Sequence, residues 1–158
     1  MAVGIDCKLI EIESYPGVYD VQLDALGDVA TEDSFDTGIF VSLFTDKRAE
    51  PSQIARPEDR RGWIGNERTP GFQVGSYLWL FEQSRLTRDV ANSIEDASEG
   101  ALRWMIDDGY AVSVRGAMSL FGSERGSLTL SIIKPDGTVE TPLFDLWDLT
   151  GITWGVEV

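Results

Sequence analysis

The side chains of this sequence that could take part in chemistry are mostly carboxylates, because the chain has no histidine and one cysteine, Cys7. Without histidine, Ser-His-Asp and Cys-His arrangements and imidazole metal sites are excluded, and Cys7 is expected to be a buried free thiol. Glycoside hydrolysis needs only two carboxylates roughly 5 to 10 Å apart, one of them in an apolar setting. The best such pair is Glu82, beside Trp79, with Asp107 or Asp108. Among 27 acidic residues such a pair arises by chance, so we predict that the chain is not an enzyme.

The acidic residues near the amino terminus could instead bind a metal ion. Nine acidic residues and one basic residue, Lys8, fall within residues 1–36. The carboxylates available as oxygen ligands are Asp20, Asp24, Asp28, Glu32, Asp33 and Asp36. A calcium loop needs carboxylates at alternate positions around a glycine, whereas most of these lie about four residues apart. We therefore predict a solvated acidic face, or one that meets a basic partner, with neither metal nor cofactor.

The most unusual segment spans residues 59–82, DRRGWIGNERTPGFQVGSYLWLFE. Its glycines and proline prevent a long helix or strand through the first half, and an ordered loop of this length is uncommon without a function. Aromatic and arginine side chains are frequent anchors of protein interfaces. The residues that we predict to bind partners are Arg60, Arg61, Trp63, Arg68, Trp147 and Trp154. The alternative is that Trp63 and Trp79 cover the core of the domain itself while Arg60 or Arg61 pairs with Asp59 or Asp46, and the two roles are compatible.

Length, composition and charge limit the class of protein. A chain of 158 residues usually forms one domain that can bury a full hydrophobic core. The net charge of -14 opposes binding to nucleic acid and to anionic membranes. No window reaches the roughly 18 consecutive apolar residues of a membrane span, and the amino terminus does not resemble a signal peptide. We expect a soluble protein, made in the cytoplasm, that binds neither nucleic acid nor membrane.

The hydrophobic periodicity predicts a helix followed by strands. Over residues 86–108 apolar residues recur every three or four positions, which is typical of a helix with one buried face. Thr87 is the predicted N-cap, and Gly109 is predicted to end the helix. The period then changes to two. The predicted antiparallel strands are residues 110–118, 127–133, 139–144 and 151–158, with a tight turn at residues 134–138, KPDGT.

The amino-terminal third is harder to interpret. Residues 18–23 are a candidate strand, and residues 27–28 a turn. Residues 35–44, FDTGIFVSLF, fit a helix by the spacing of their apolar residues, with Ser34 or Asp33 as its cap. They also fit a buried strand, because they contain β-branched residues. Composition leaves both possibilities open.

Five segments of the chain, taken together and in this order, resemble the baseplate proteins of Mu-like contractile-tailed phages. The segments are residues 36–49 (DTGIFVSLFTDKRA), 59–66 (DRRGWIGN), 75–87 (GSYLWLFEQSRLT), 102–111 (LRWMIDDGYA) and 135–138 (PDGT). None of them is decisive alone, and the resemblance rests on the five being in register. The wider relatives of this family are the short baseplate wedge proteins that initiate the tail sheath.

The resemblance implies an α+β fold: a small single domain, residues 1–158, with two helices packed on an antiparallel β-sheet and a long ordered loop between the helices. Residues 35–44 would then be the first helix. The domain would consist of an N-terminal strand segment (1–33), a core (34–138) and a C-terminal strand and tail (139–158).

The resemblance also implies a structural role in the virion, at the tail baseplate, after assembly in the host cytoplasm. The partners it implies are other baseplate wedge proteins, the tail sheath, and the tube or hub proteins, with several copies in the assembly. The first alternative is a lysozyme-like glycoside hydrolase of the tail, since some wider relatives have been described in that way, and the second is an acidic interaction module. Sheath-initiating relatives often carry a Glu-Pro-Arg motif after the long helix. Residues 107–110 read DDGY instead, so an arginine contact at that point is not transferred.

The carboxyl-terminal end forms a second candidate interface, because it is an apolar tail with few charges. Its apolar residues are Phe144, Leu146, Trp147, Leu149, Ile152 and Trp154. An extended segment of this kind can pair with the open edge of a neighbouring sheet. We therefore predict that residues 151–158 add a strand to a partner or receive one, as the sheath-initiating relatives imply.

Overall fold

The structure, a computed structural model, describes residues 6–15, 18–32, 34–69, 71–82, 84–122 and 125–146. Contacts divide the chain into two compact units, residues 1–41 and residues 42–158. Helices and antiparallel strands occur together in the described residues, which confirms the predicted α+β class. Among the described residues, no helix is both long enough and apolar enough to cross a membrane.

The first unit contains two small antiparallel ladders. β1 (Asp6–Cys7) pairs with β4 (Thr31–Glu32), and β2 (Leu9–Glu11) pairs with β3 (Tyr19–Val21). The strand predicted at 18–23 is therefore present but shorter, and the turn predicted after it is present, with Gly27 at a φ of 86°. Cys7 is a free thiol, half-buried rather than buried as expected.

The segment that fitted both helix and strand is a helix, α1 (Asp36–Phe44). Its first N–H groups need acceptors from outside the helix. The Asp36 N–H donates to Oγ of Ser34 at 3.4 Å, as the capping prediction requires. The Gly38 N–H donates to Oδ2 of Asp6 at 2.9 Å. This second cap comes from β1, about thirty residues away, so local spacing could not indicate it.

The second unit is built on a four-stranded antiparallel sheet. Its strands are β5 (Ser113–Phe121), β6 (Arg125–Ile133), β7 (Val139–Glu140) and β8 (Leu143–Leu146). β6 pairs with β5 along its whole length on one side and with both β7 and β8 on the other. The predicted turn is present, because the Gly137 N–H donates to the Lys134 carbonyl. The strand predicted over residues 139–144 is split before β8, where Pro142 has no N–H to donate. The strand predicted at 151–158 lies outside the described residues.

The long helix predicted over residues 86–108 is divided into α3 (Arg88–Ala101) and α4 (Arg103–Asp107). The two helices meet at Leu102, whose N–H is shared between the carbonyls of Ser98 and Gly100. Gly100 weakens the helix there, and the Ser98 hydroxyl donates back to the Ile94 carbonyl at 2.7 Å, a contact that bends helices. The prediction of one continuous helix is wrong at this break.

Both predicted helix ends are confirmed. Oγ1 of Thr87 accepts the Val90 N–H at 3.3 Å and caps α3. Gly109 follows α4 with a φ of 79°, in the left-handed region that glycine adopts without strain.

The last turn of α1 belongs to the second unit and packs on its other elements. Oγ of Ser42 accepts a hydrogen bond from Nε1 of Trp104 on α4 at 3.0 Å. The rings of Phe44 and Phe144, on β8, lie 5.9 Å apart between centroids. The core of this unit is formed by buried residues of the helices and of the inner sheet face: Leu43, Ile94, Leu102, Met105, Val114, Met118, Leu128, Leu130, Ile132 and Phe144.

The segment between α1 and α3 is irregular, as predicted. Its short helical elements are three 3-10 helices, Pro51–Gln53, Pro57–Asp59 and Leu78–Phe81, and α2 (Gly65–Arg68). Glycine is required at position 75, where the segment passes close to its own first residue, Thr45. Its φ is 111°, and a Cβ there would lie 2.4 Å from the Thr45 carbonyl oxygen. The segment is therefore ordered by close contacts rather than by regular secondary structure.

One side chain closes the middle of this segment. Asn66 is 9% exposed. Its Nδ2 donates to the Val74 carbonyl at 2.7 Å, and its Oδ1 accepts the Val74 N–H at 2.9 Å. The amide thus imitates a main-chain partner, and the two bonds hold α2 against the residues that follow it.

We expect Asn66→Ala to destabilise the fold by about 1 to 3 kcal/mol, because both polar groups of Val74 lose their partner. Chemical denaturation measures this loss, and limited proteolysis with trypsin should show faster cleavage after Arg68. Gln73→Ala, an exposed change in the same segment, is the control and should alter neither. Equal stability of the two variants would contradict the assigned role of Asn66.

Candidate protein-interaction site

The 59–82 loop lies against residues 45–49, which follow α1. Four backbone hydrogen bonds of 2.9 or 3.0 Å join them: Trp63 N–H to the Asp46 carbonyl, Ala49 N–H to the Arg60 carbonyl, Ser76 N–H to the Thr45 carbonyl, and Lys47 N–H to the Ser76 carbonyl. The same short stretch therefore binds both the beginning and the later part of the loop. Since these backbone groups are paired, the loop has a defined conformation although it contains only short helical elements.

Arg61 is the centre of a charged cluster. Its Nη1 and Nη2 donate to the two carboxylate oxygens of Glu82 at 3.2 and 3.0 Å, and Nη1 also donates to Asp46 at 3.3 Å. Its guanidinium carbon lies 4.8 Å from the centre of the Trp79 ring. The hydrogen bond to Glu82 raises the pKa of Arg61 above its ordinary value, so the group stays charged.

The backbone of Arg61 is strained. Its φ of 44° is the only positive value of a non-glycine residue in the described part of the chain. A left-handed conformation costs roughly 1 to 2 kcal/mol for such a residue. Exposed ion pairs contribute about 0 to 1 kcal/mol, so the bonds from the guanidinium to Glu82 and Asp46 offset at most part of this cost.

Trp79 anchors the loop. Its Nε1 donates to the Lys47 carbonyl at 2.8 Å. The adjacent residues differ in burial: Leu78 is buried, whereas Trp79 and Leu80 are half-buried. The Trp79 ring therefore covers the core from outside, with Arg61 over it.

Trp63 presents its ring to solvent. It is 50% exposed, and its ring lies so close over Gly65 that a Cβ there would come within 2.2 Å of it. Two further apolar residues of the loop are exposed, Ile64 by 65% and Phe72 by 53%. Sequence reasoning selected Trp63 but not Ile64 or Phe72. The signal that could have found them is their position among glycines and proline, where no regular element would bury them.

The remaining predicted partner-binding residues have different environments. Arg60 is half-buried, and its Nε donates to the Ala49 carbonyl at 2.7 Å. Arg68 is exposed and ends α2. Trp147 and Trp154 lie outside the described residues. The structure thus brings Arg60, Arg61, Trp63 and Arg68 into one loop, but it gives Arg60 and Arg61 partners within the chain.

Two of the three carboxylates considered for hydrolysis have structural partners. Both oxygens of Glu82 accept from Arg61, and Asp107 accepts from Nε of Arg103 at 3.1 Å. Asp108 is the C-cap of α4. Across the described ranges there is no group of three or more cysteine or acidic side chains that could hold a metal ion.

A groove of about 370 Å³ lies between the loop region and α3. Its lining includes Lys47, Gln53, Tyr77, Phe81, Asp96 and Ala97. Lys47 Nζ lies 5.4 Å from the centre of the Tyr77 ring. Burial, with a smaller contribution from Glu50, raises the pKa of Tyr77, so its hydroxyl is neutral at pH 7 and does not act as a base there.

Most of this chain is similar in sequence to known proteins. Residues 35–139, from α1 to the start of β7, match the family model described as phage protein GP46. The chain is 33% identical over 113 residues to the Mu-like prophage FluMu protein gp46 of Haemophilus influenzae, covering 72% of this chain and 78% of that protein. It is 31% identical over 122 residues to the baseplate protein gp46 of Escherichia phage Mu, covering 76% and 83%. The chain therefore belongs to the phage protein GP46 family, a family of Mu-like phage baseplate proteins.

Proposed function

We propose that this chain is a structural component of the baseplate of a contractile phage tail, or of a phage-derived tail, and that it binds neighbouring wedge proteins through the 59–82 loop. The observation that carries this proposal is the combination of a fixed loop backbone with exposed Trp63, Ile64 and Phe72. The similarity to the baseplate protein of phage Mu supports the location in the virion tail. Assembly from the host cytoplasm, in several copies, is part of the proposal.

The physical reason is preorganisation. Binding costs less conformational entropy when the contact residues are already held in place, and here residues 45–49, Asn66 and Arg61 hold them. Large apolar side chains exposed together on one loop are typical of an interaction site. Arg68, exposed in the same loop, supplies a positive charge that can pair with a carboxylate of the partner.

The same geometry does not favour the hydrolase alternative. A general acid needs a carboxyl group that can transfer a proton to its substrate, whereas both oxygens of Glu82 are engaged by Arg61.

A pull-down from a lysate that contains assembling tails, scored for other tail proteins and for cell-wall hydrolysis, separates the two functions. We expect tail proteins and no hydrolysis.

We expect Trp63→Ala to weaken association with the wedge partner about tenfold or more, as loss of a central aromatic anchor does. Its effect on the stability of the isolated chain should remain below about 1 kcal/mol, because Trp63 is half exposed. Phe121→Ala is a matched control, since Phe121 is a 63% exposed aromatic residue outside the loop. Unchanged association of the Trp63 variant, or an equal loss with the Phe121 variant, would argue against the docking role of the loop.

In contrast to Trp63→Ala, the substitution Trp79→Ala should reduce the stability of the isolated chain by about 2 to 4 kcal/mol. This substitution removes a half-buried ring, the hydrogen bond to the Lys47 carbonyl and the contact with Arg61. Trp79→Phe keeps an aromatic ring and loses the Nε1 donor, so it should cost about 1 kcal/mol. Thermal or urea denaturation of the isolated chain measures both values, and identical stability of the Ala variant and the wild type would exclude the anchoring role.

The tail sheath is the second proposed partner, as in a sheath initiator, with residues 151–158 as the contact. Deleting these residues should leave binding to wedge proteins intact and prevent formation of complete sheathed tails, which electron microscopy of the particles would count. Sheathed tails in normal number after the deletion would remove this segment from the proposal.

A further inference from the structure

β5 lies at the edge of its sheet. Among the described strands, only β6 pairs with it. In an antiparallel strand the N–H and C=O groups of every second residue point away from the paired neighbour. On β5 these residues include Gly116 and Met118. A row of outward groups is a template for pairing with another chain unless something covers it.

Side chains of α3 occupy the place of a neighbouring strand at Met118. Oε1 of Glu95 accepts the Met118 N–H at 2.8 Å, and Nη1 of Arg88 donates to the Met118 carbonyl at 3.3 Å. Nη2 of Arg88 donates to the same oxygen of Glu95 at 2.7 Å. In a paired strand, one residue would supply this acceptor and this donor. The ion pair of Arg88 and Glu95 therefore imitates one residue of a strand.

Glu99 covers the next outward group in the same way. Its Oε1 accepts the Gly116 N–H at 3.0 Å, and its Oε2 accepts from Nη1 of Arg115 at 3.3 Å. Glu95 and Glu99 are separated by one helical turn, roughly 6 Å. The outward groups of alternate strand residues are separated by a similar roughly 6.8 Å. The helix therefore matches the repeat of the strand that it covers.

Gly116 allows α3 to approach the strand this closely. A Cβ at this position would lie 3.3 Å from the carbonyl oxygen of Glu95 and 3.4 Å from its Cα. The side chains of Glu95 and Glu99 are only 20% and 28% exposed. Partial shielding from water strengthens hydrogen bonds of this kind, and it holds both carboxylates at the edge.

We propose that Arg88, Glu95 and Glu99 form an edge clasp, a set of side chains that keeps β5 from pairing with β5 of a second copy of this chain. Without the clasp, two copies can pair in antiparallel orientation, with Gly116 of one opposite Met118 of the other and the symmetry axis at Ala117. Such a barrier matters most where copies are held at high local concentration, and in this respect the inference rests on the proposed assembly of the chain in several copies. The clasp is separate from the docking role of the 59–82 loop.

The test uses the full chain with Glu95→Ala and Glu99→Ala combined. The matched control is Glu58→Ala with Asp96→Ala, which removes the same charge from exposed positions. Sedimentation velocity over a concentration series should show added self-association of the clasp variant, whereas the control should behave as the wild type. Amide hydrogen exchange at Gly116 and Met118, measured at low concentration by NMR, should become about tenfold faster in the clasp variant. A folded clasp variant with wild-type sedimentation and exchange would overturn the proposal.

Two further measurements assign the effect to β5. As a single substitution, Glu99→Ala should accelerate amide exchange at Gly116, and Glu95→Ala should accelerate it at Met118. These single variants test the clasp even if the double variant does not fold. A uniform change in exchange along β5 would contradict the clasp. The second measurement introduces Ala117→Cys with Cys7→Ser. Opposed residues at this register have Cα atoms about 4.5 Å apart, within disulfide range. Disulfide-linked dimers should form with the clasp variant and not with the control, and association without this cross-link would place the contact on another surface and refute the proposal.

Discussion

The backbone of the 59–82 loop depends on residues 45–49. A long segment with little regular secondary structure must still pair its buried N–H and C=O groups, because an unpaired buried group costs free energy comparable to a lost hydrogen bond. Here a short stretch after α1 pairs with both the beginning and the later part of the loop. Gly75 is needed because the chain passes against the Thr45 carbonyl. Arg61 has a strained backbone, and its guanidinium is held by Glu82 and Asp46.

This constraint divides the aromatic residues of the loop into two groups. Trp79 is half-buried and bonded to the Lys47 carbonyl, so it contributes to stability. Trp63, Ile64 and Phe72 are largely exposed although the backbone around them is fixed. Burial of these side chains would contribute hydrophobic free energy, which the isolated protein does not gain because they remain largely in water. A partner can supply that burial, and this is how an ordered, apolar loop becomes useful to a protein of a baseplate family.

The elements with strong local signals could be predicted from the sequence. The ends of the helical stretch at Thr87 and Gly109 were predictable because capping is a short-range interaction. The β6 strand was predictable because apolar residues alternate along a strand whose sheet has one buried face. Long-range interactions decided the remainder. The cap of α1 by Asp6 and the pairing of Arg61 with Glu82 join residues far apart in the chain, so no spacing rule indicates them. The break at Leu102 was missed because apolar periodicity continues through it.

The most direct test of the docking role is site-specific photo-crosslinking in assembling tails. A benzophenone amino acid would replace Phe72 in one variant and Phe121 in another, since both positions are exposed aromatic residues, one inside the loop and one at the end of β5. After irradiation, crosslinked products would be identified by mass spectrometry. We expect a crosslink to another tail protein from position 72 and not from position 121. Complete tails with no crosslink from position 72, or with an equal crosslink from position 121, would contradict it.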